Sequence, residues 1–281
     1  SRYVPAETKL KLIHKLADCG IPVIEVTSFV SPRWVPQLAD AEEIMAGLQR
    51  KPGVHYPVLV PNEKGYQRAR AAGADDVAVF TAASEAFNQK NINCSIDESF
   101  DRFRPVLKQA ADDQIRVRGY ISCVLGCPYQ GEVKAADVVR VAEALLEAGC
   151  AEISLGDTIG VGTAQKAREM IRAVLDVVPA DRLAVHFHDT YGQALANILA
   201  SLELGVRIID SSVAGIGGCP YARGATGNVA TEDVVYQLEG LGFQTGIDLD
   251  VLAGTGRWIA GTLGRQGSRA GTAIYNRRHA D

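Results

Sequence analysis

Residues 148–155, AGCAEISL, decide how the chain is read. The segment before them, 133–148, carries apolar residues at helical spacing. A strand-like run, EISL at 152–155, follows with no linker. Gly149 falls where a helix stops, and glycine there adopts the left-handed conformation that ends a helix. The arrangement recurs in AGADDVAVF (72–80) and LGVRIIDSSV (204–213). Working outward, apolar spacing predicts helices over 8–18, 35–48, 66–72, 96–112, 133–148, 164–177, 191–204, 231–241 and 249–263. Strands are predicted over 23–29, 55–60, 76–80, 116–123, 152–155, 183–188 and 207–213.

Such alternation argues a parallel sheet covered by helices. The count is seven strands, and the chain opens on a helix. A TIM barrel is built from eight strand–helix units. The expected fold is therefore an α/β TIM (β/α)8 barrel, with the first strand absent from this chain. The expected organisation is a single catalytic domain over 1–281, incomplete at its N-terminus. An open doubly wound sheet is the alternative, but no GxGxxG turn follows an early strand.

Composition narrows the function. The 281 residues are 47% hydrophobic and 22% charged, with a net charge of −4 and no Lys/Arg-rich run. A nucleic-acid binder would show a basic stripe, so nucleic acid is not an expected partner. No apolar stretch reaches the ~18–20 residues of a membrane-crossing helix, so no membrane partner is expected. The six cysteines form no pair of CxxC motifs, which argues against a structural zinc site. Cys19 and Cys150 read as small buried hydrophobes in a reducing compartment.

Three features carry chemistry. In LAVHFHDT (183–190), His186 and His188 are two apart on a strand, so both imidazoles face one side. At a strand end they can share a metal ion. The segment 211–228, SSVAGIGGCPYARGATGN, holds five glycines, Cys219 and Asn228. It reads as a mobile loop whose thiol can exchange a proton near neutral pH. Glu25 sits within the strand-like VIEVTSF, where a buried carboxylate needs a partner, and Asp157 stands at a strand end. Asp189 reads as a cap for the helix after it.

These stretches resemble the 3-hydroxy-3-methylglutaryl-CoA lyase family. SVAGIGGCPYARGATGN is similar to its signature loop. VIEVTSFVSPRWVPQLAD, KNINCSIDESF, RGYISCVLGCPY, EISLGDTIGVGT and HFHDTYGQALAN also resemble it. The resemblance implies that His186, His188 and Asn228 are metal ligands and that Cys219 is the catalytic loop cysteine. It implies that Glu25 and Asp157 are acidic active-site residues, with Ser28 and Ser154 as neighbours. The family's first strand carries a motif like RDGLQNE, absent here, so a further Asp ligand is expected upstream of Ser1.

The implied reaction is metal-assisted cleavage of 3-hydroxy-3-methylglutaryl-CoA to acetyl-CoA and acetoacetate, as in leucine catabolism or ketone-body formation. The mixed N/O donors suit Mg²⁺ or Mn²⁺ and are compatible with Zn²⁺ or Co²⁺. An acyl-CoA substrate, a homo-oligomer, and a bacterial cytoplasmic or mitochondrial matrix location follow as expectations. The competing readings are a Claisen synthase or aldolase of the same superfamily, and an inactive CoA-binding barrel. A metal-dependent hydrolase is disfavoured, since only His14, His55 and His279 remain and none follows the HxH on a strand.

Overall fold

A computed structural model describes residues 4–33, 35–217 and 227–279. Among these residues seven strands occur: β1 (Thr27–Ser28), β2 (Val58–Leu59), β3 (Asp76–Ala82), β4 (Arg116–Ser122), β5 (Glu152–Asp157), β6 (Leu183–Phe187) and β7 (Ile208–Asp210). They follow one another in the sheet in chain order. A doubly wound sheet reverses its order at a switch point; this one never does. Singly wound parallel order is what a barrel requires.

The chain divides into two compact units. The first comprises residues 1–77, 212–216 and 230–281. Its helices are α1 (Ala6–Asp18), α2 (Ala41–Gly47) and α3 (Glu63–Ala71), and three from the C-terminal part described below. Strands β1 and β2 are short for a chemical reason. Parallel backbone bonds run along the whole segment, from Ile24 N–H to His55 O (2.9 Å), Val26 N–H to Pro57 O (3.1 Å) and Phe29 N–H to Leu59 O (2.8 Å). Pro57 has no N–H to return, so the ladder is interrupted there. Around it Ile13, Ala17, Ile24, Ile44 and Tyr56 form an apolar cluster.

The second unit, residues 78–211 and 217–229, holds most of β3 and all of β4 to β7. Its helices are α4 (Glu85–Ile92), α5 (Ile96–Asp112), α6 (Ala135–Glu147), α7 (Ala164–Leu175) and α8 (Ala194–Glu203). Strands β4, β5, β6 and β7 pair in parallel, with Tyr120 beside Ser154, Ser154 beside Ala184, and His186 between Gly156 and Asp210. Gly73, Gly149 and Gly205, the helix-stopping glycines read from the sequence, all have positive φ, 85°, 109° and 96°. Helix α5 begins with a capping box in which Ser95 and Glu98 satisfy each other's backbone N–H groups.

The chain closes in the first unit with α9 (Thr231–Gly240), α10 (Leu249–Thr262) and α11 (Arg269–Arg278). Val213, Ala214, Val235, Leu252 and Ile259 pack with Cys19 into a second apolar cluster. Glu232, only 1% exposed, accepts the Ala214 N–H at 2.9 Å and so holds a turn at φ 54°. Burial raises its carboxyl above the usual range.

Several expectations need correcting. The predicted helix over 35–48 is a short 3-10 turn, Pro36–Leu38, followed by α2. Helices α4 and α11 have no counterpart among the predicted elements. Among the residues of α4 only Phe87 and Asn88 are buried, so there is no apolar stripe to read. The run 191–204 becomes helical only from Ala194, because Gly192 has φ 67°.

Candidate active site

Alternation along β6 and past its end sets His186 and His188 on one side, as read from the sequence. Their ring centroids lie 5.8 Å apart. An isolated antiparallel bridge then pairs His188 with Asn228. Two backbone bonds flank it: Asp189 N–H to Gly227 O at 2.9 Å, and Val229 N–H to Phe187 O at 3.3 Å. Residues directly opposite in such a bridge carry their side chains on the same face, ~4.5–5.5 Å apart at Cβ. The structure thus brings together the three residues expected to share a metal.

His188 is 9% exposed, and its Nδ1 is buried with no hydrogen-bond partner among the described residues. Burial, with a smaller contribution from His186, lowers its pKa from 6.5 to about 4. The imidazole is therefore neutral around pH 7, the form a cation needs. An orphaned buried nitrogen beside a second imidazole and a carboxamide fits a divalent cation. Among the described residues no three His, Cys, Asp or Glu side chains are grouped to hold a metal ion; the residue set opposite His188 by the bridge, Asn228, carries a carboxamide.

Beneath the imidazoles lies an ionic network that the sequence does not single out. Arg118 of β4 donates from Nη1 and Nη2 to Asp210 of β7 at 2.8 and 2.6 Å, and from Nε to Glu152 of β5 at 2.5 Å. Arg116 reaches the other oxygen of Glu152 at 2.7 Å. Asp210 Oδ2 also accepts from Ser154 at 2.8 Å and lies 3.1 Å from His186 Nδ1. Tyr120 stands edge-on to His186 at 5.9 Å and accepts from Arg118 at 2.9 Å. Burial works to raise the Asp210 carboxyl, but Arg118 and His186 overcome it and hold it well below the usual carboxylate range. The signal available in the sequence is the alternation of Arg116, Arg118 and Tyr120 on a strand, a pattern that a solvated face shares.

Asp157 is fully buried. In register it lies beside Phe187, one position off the imidazole row. Its Oδ2 accepts the Gly162 N–H at 2.9 Å, while its Oδ1 is buried without a partner among the described residues. Burial outweighs the backbone hydrogen bonds and raises its pKa from 3.8 to about 6. Asn197, another residue missed in the sequence, donates to Gly162 O at 3.1 Å and clamps the same turn from α8. A Cβ at Gly162 would meet Asp157 Oδ2 at 2.9 Å and Leu125 at 2.3 Å, so only glycine allows this approach. Asp189 accepts from the first N–H of α8, that of Ala194, at 3.0 Å, the capping contact expected of it.

Glu25 lies in the first unit and is exposed, between the bridge at Val23 and β1. The burial cost expected for it does not arise. Ser28 is 6% exposed, and its hydroxyl has no hydrogen-bond partner among the described residues. Cys219 lies outside the described residues. Cys19, Cys94, Cys123, Cys127 and Cys150 are buried free thiols, as expected for the first and last of them.

Parallel strands wound in a single direction, with paired imidazoles at a strand end, define a (β/α)-barrel enzyme of the metal-site class. The chain belongs to the HMGL-like family, which it matches over residues 2–259. It is 59% identical to the mitochondrial hydroxymethylglutaryl-CoA lyase of Gallus gallus over 94% of this chain and 88% of that protein. It is 58% identical to the 3-hydroxy-3-isohexenylglutaryl-CoA/hydroxy-methylglutaryl-CoA lyase of Pseudomonas aeruginosa, over 95% of this chain and 89% of that one. The solved hydroxymethylglutaryl-CoA lyase from Pseudomonas aeruginosa superposes with a TM-score of 0.96 at 55% identity, covering 99% of this chain and 93% of that chain.

Proposed function

We propose that the chain is a carbon–carbon lyase that cleaves 3-hydroxy-3-methylglutaryl-CoA to acetyl-CoA and acetoacetate, working as one catalytic barrel. The observation that carries the reading is the bridge setting Asn228 opposite His188, two residues from His186. His186, His188 and Asn228 would hold Mg²⁺ or Mn²⁺. When bound, such a cation acidifies the tertiary hydroxyl and anchors the substrate carboxylate.

The proton of that hydroxyl passes to a base on the imidazole row. Asp157, in register with Phe187 on the other face of the sheet, belongs to the acidic set as the residue that holds the 160–162 turn. As the alkoxide collapses to the ketone, the adjacent C–C bond breaks. Its electron pair forms the thioester enolate, and the Cys219 thiol returns a proton to that carbon. Glu25 is assigned to the same acidic set. A homo-oligomer and an acyl-CoA partner belong to this reading. No helix among the described residues is long and apolar enough to cross a membrane.

An acetoacetate-release assay tests the reading, since a Claisen synthase or an inactive barrel would release none. Two variants separate the roles. His188→Ala is expected to lose bound metal first, with turnover falling in parallel; full metal stoichiometry by elemental analysis would remove His188 from the ligand set. Cys219→Ala is expected to keep its metal and lose turnover by at least ~10²-fold, the scale of one proton-transfer group. Equal loss of metal and turnover there would show that the thiol does something else.

A further inference from the structure

We infer that Asp210 is the positioning residue that fixes the tautomer of His186. The inference rests on the metal-site reading above and adds a residue that neither the sequence motifs nor the relatives' names point to. The argument is one of donors and acceptors. Both oxygens of Asp210 take a hydrogen bond from the Arg118 guanidinium, at 2.6 and 2.8 Å, and the pair is largely buried, at 12% and 15% side-chain exposure. A carboxylate in that embrace is ionised, and an ionised carboxylate only accepts. His186 Nδ1 lies 3.1 Å from its Oδ2. The Nδ1 must therefore carry the hydrogen. A neutral imidazole has one N–H, so Nε2 is left as the lone-pair nitrogen that a cation binds.

The network also fixes direction. Ser154 donates to the same Oδ2 at 2.8 Å, and His186 and Asp210 are register partners across β6 and β7. Asp210 can therefore neither rotate away nor exchange its role with a donor. Orienting carboxylates of this kind support ligating histidines generally, and their loss weakens metal binding about 10–100-fold.

The test reads the imidazole directly. Two-bond ¹H–¹⁵N spectra of the full chain at pH 8, chelated and then reloaded with Mg²⁺, are expected to show the Nδ1–H tautomer of His186 in both states. Asp210→Ala is expected to lose that preference and to bind Mn²⁺ about 10–100-fold more weakly by electron paramagnetic resonance titration. Glu152→Gln, which perturbs the same arginine without touching His186, is expected to keep both properties. An Nε2–H tautomer in the unsubstituted chain would overturn the inference with no variant needed. So would an Asp210→Ala protein that keeps both the Nδ1–H tautomer and its Mn²⁺ affinity. A chain inactive on the thioester but showing the Nδ1–H tautomer would count against the lyase reading and still support the role of Asp210.

Discussion

Arg118→Met is expected to lower the unfolding free energy by about 3–5 kcal/mol at pH 7, the usual cost of removing one partner from a buried ion pair. The reason is geometric. Arg118 is the cation shared by Glu152 and Asp210, which contribute from β5 and β7, on either side of β6. Methionine keeps the length of the side chain but leaves Asp210 and Glu152 without their shared cation, with only Arg116, half exposed, to answer Glu152. Urea denaturation measures the loss. The deficit should shrink as pH falls and the stranded carboxylates take up protons. A variant within about 1 kcal/mol of the parent at pH 7 would contradict the expected cost of stranding two carboxylates without their shared cation.

Asp157→Asn should act in the opposite sense on stability. The folded pKa of about 6 stands above the ordinary 3.8, so the folded state holds the proton more tightly than the unfolded chain. Below pH ~4 both states are protonated and the group is neutral to folding. Between about pH 4 and 6 the unfolded chain loses its proton first, so stability falls as pH rises. Above about pH 6 the full penalty is present, on the order of 3 kcal/mol. Asparagine carries no charge and can still accept the Gly162 N–H, so the variant should be more stable by about 1–3 kcal/mol at pH 8 and show no gain at pH 4. His188 works the other way in the same window, because its lowered pKa removes stability as pH falls from 6.5 toward 4. The comparison of variant with parent isolates Asp157 from it. Asp157→Asn should keep acetoacetate release within a few-fold of the parent, as expected of a holder of the 160–162 turn; abolished release would show that the carboxylate takes part in proton transfer.

Much of this is legible in the sequence. The helix-stopping glycines mark the helix–strand boundaries because a positive φ has few other residues to use. The paired histidines are legible because strand alternation is strict. Asn228 needs the motif loop, and only the bridge to His188 explains its place. Arg118 and Asp210 are not legible. They are 92 residues apart and meet only because β4 and β7 flank the same two strands. A charged residue in a strand looks the same whether it faces solvent or a buried counter-ion. Asn197 is hidden for a similar reason, since its partner is a backbone carbonyl 35 residues away. Helix α4 escapes notice because its local pattern carries almost no apolar stripe, and its start at Ser84 is a cap visible only through its bond to Phe87.

Crystals grown with Mn²⁺ and read at the manganese absorption edge give the most direct measurement. The expected result is one anomalous peak per chain, at coordination distance from an imidazole nitrogen of His186, one of His188, and the carboxamide oxygen of Asn228. A manganese ion bound elsewhere, with those three side chains turned from one another, would contradict the account.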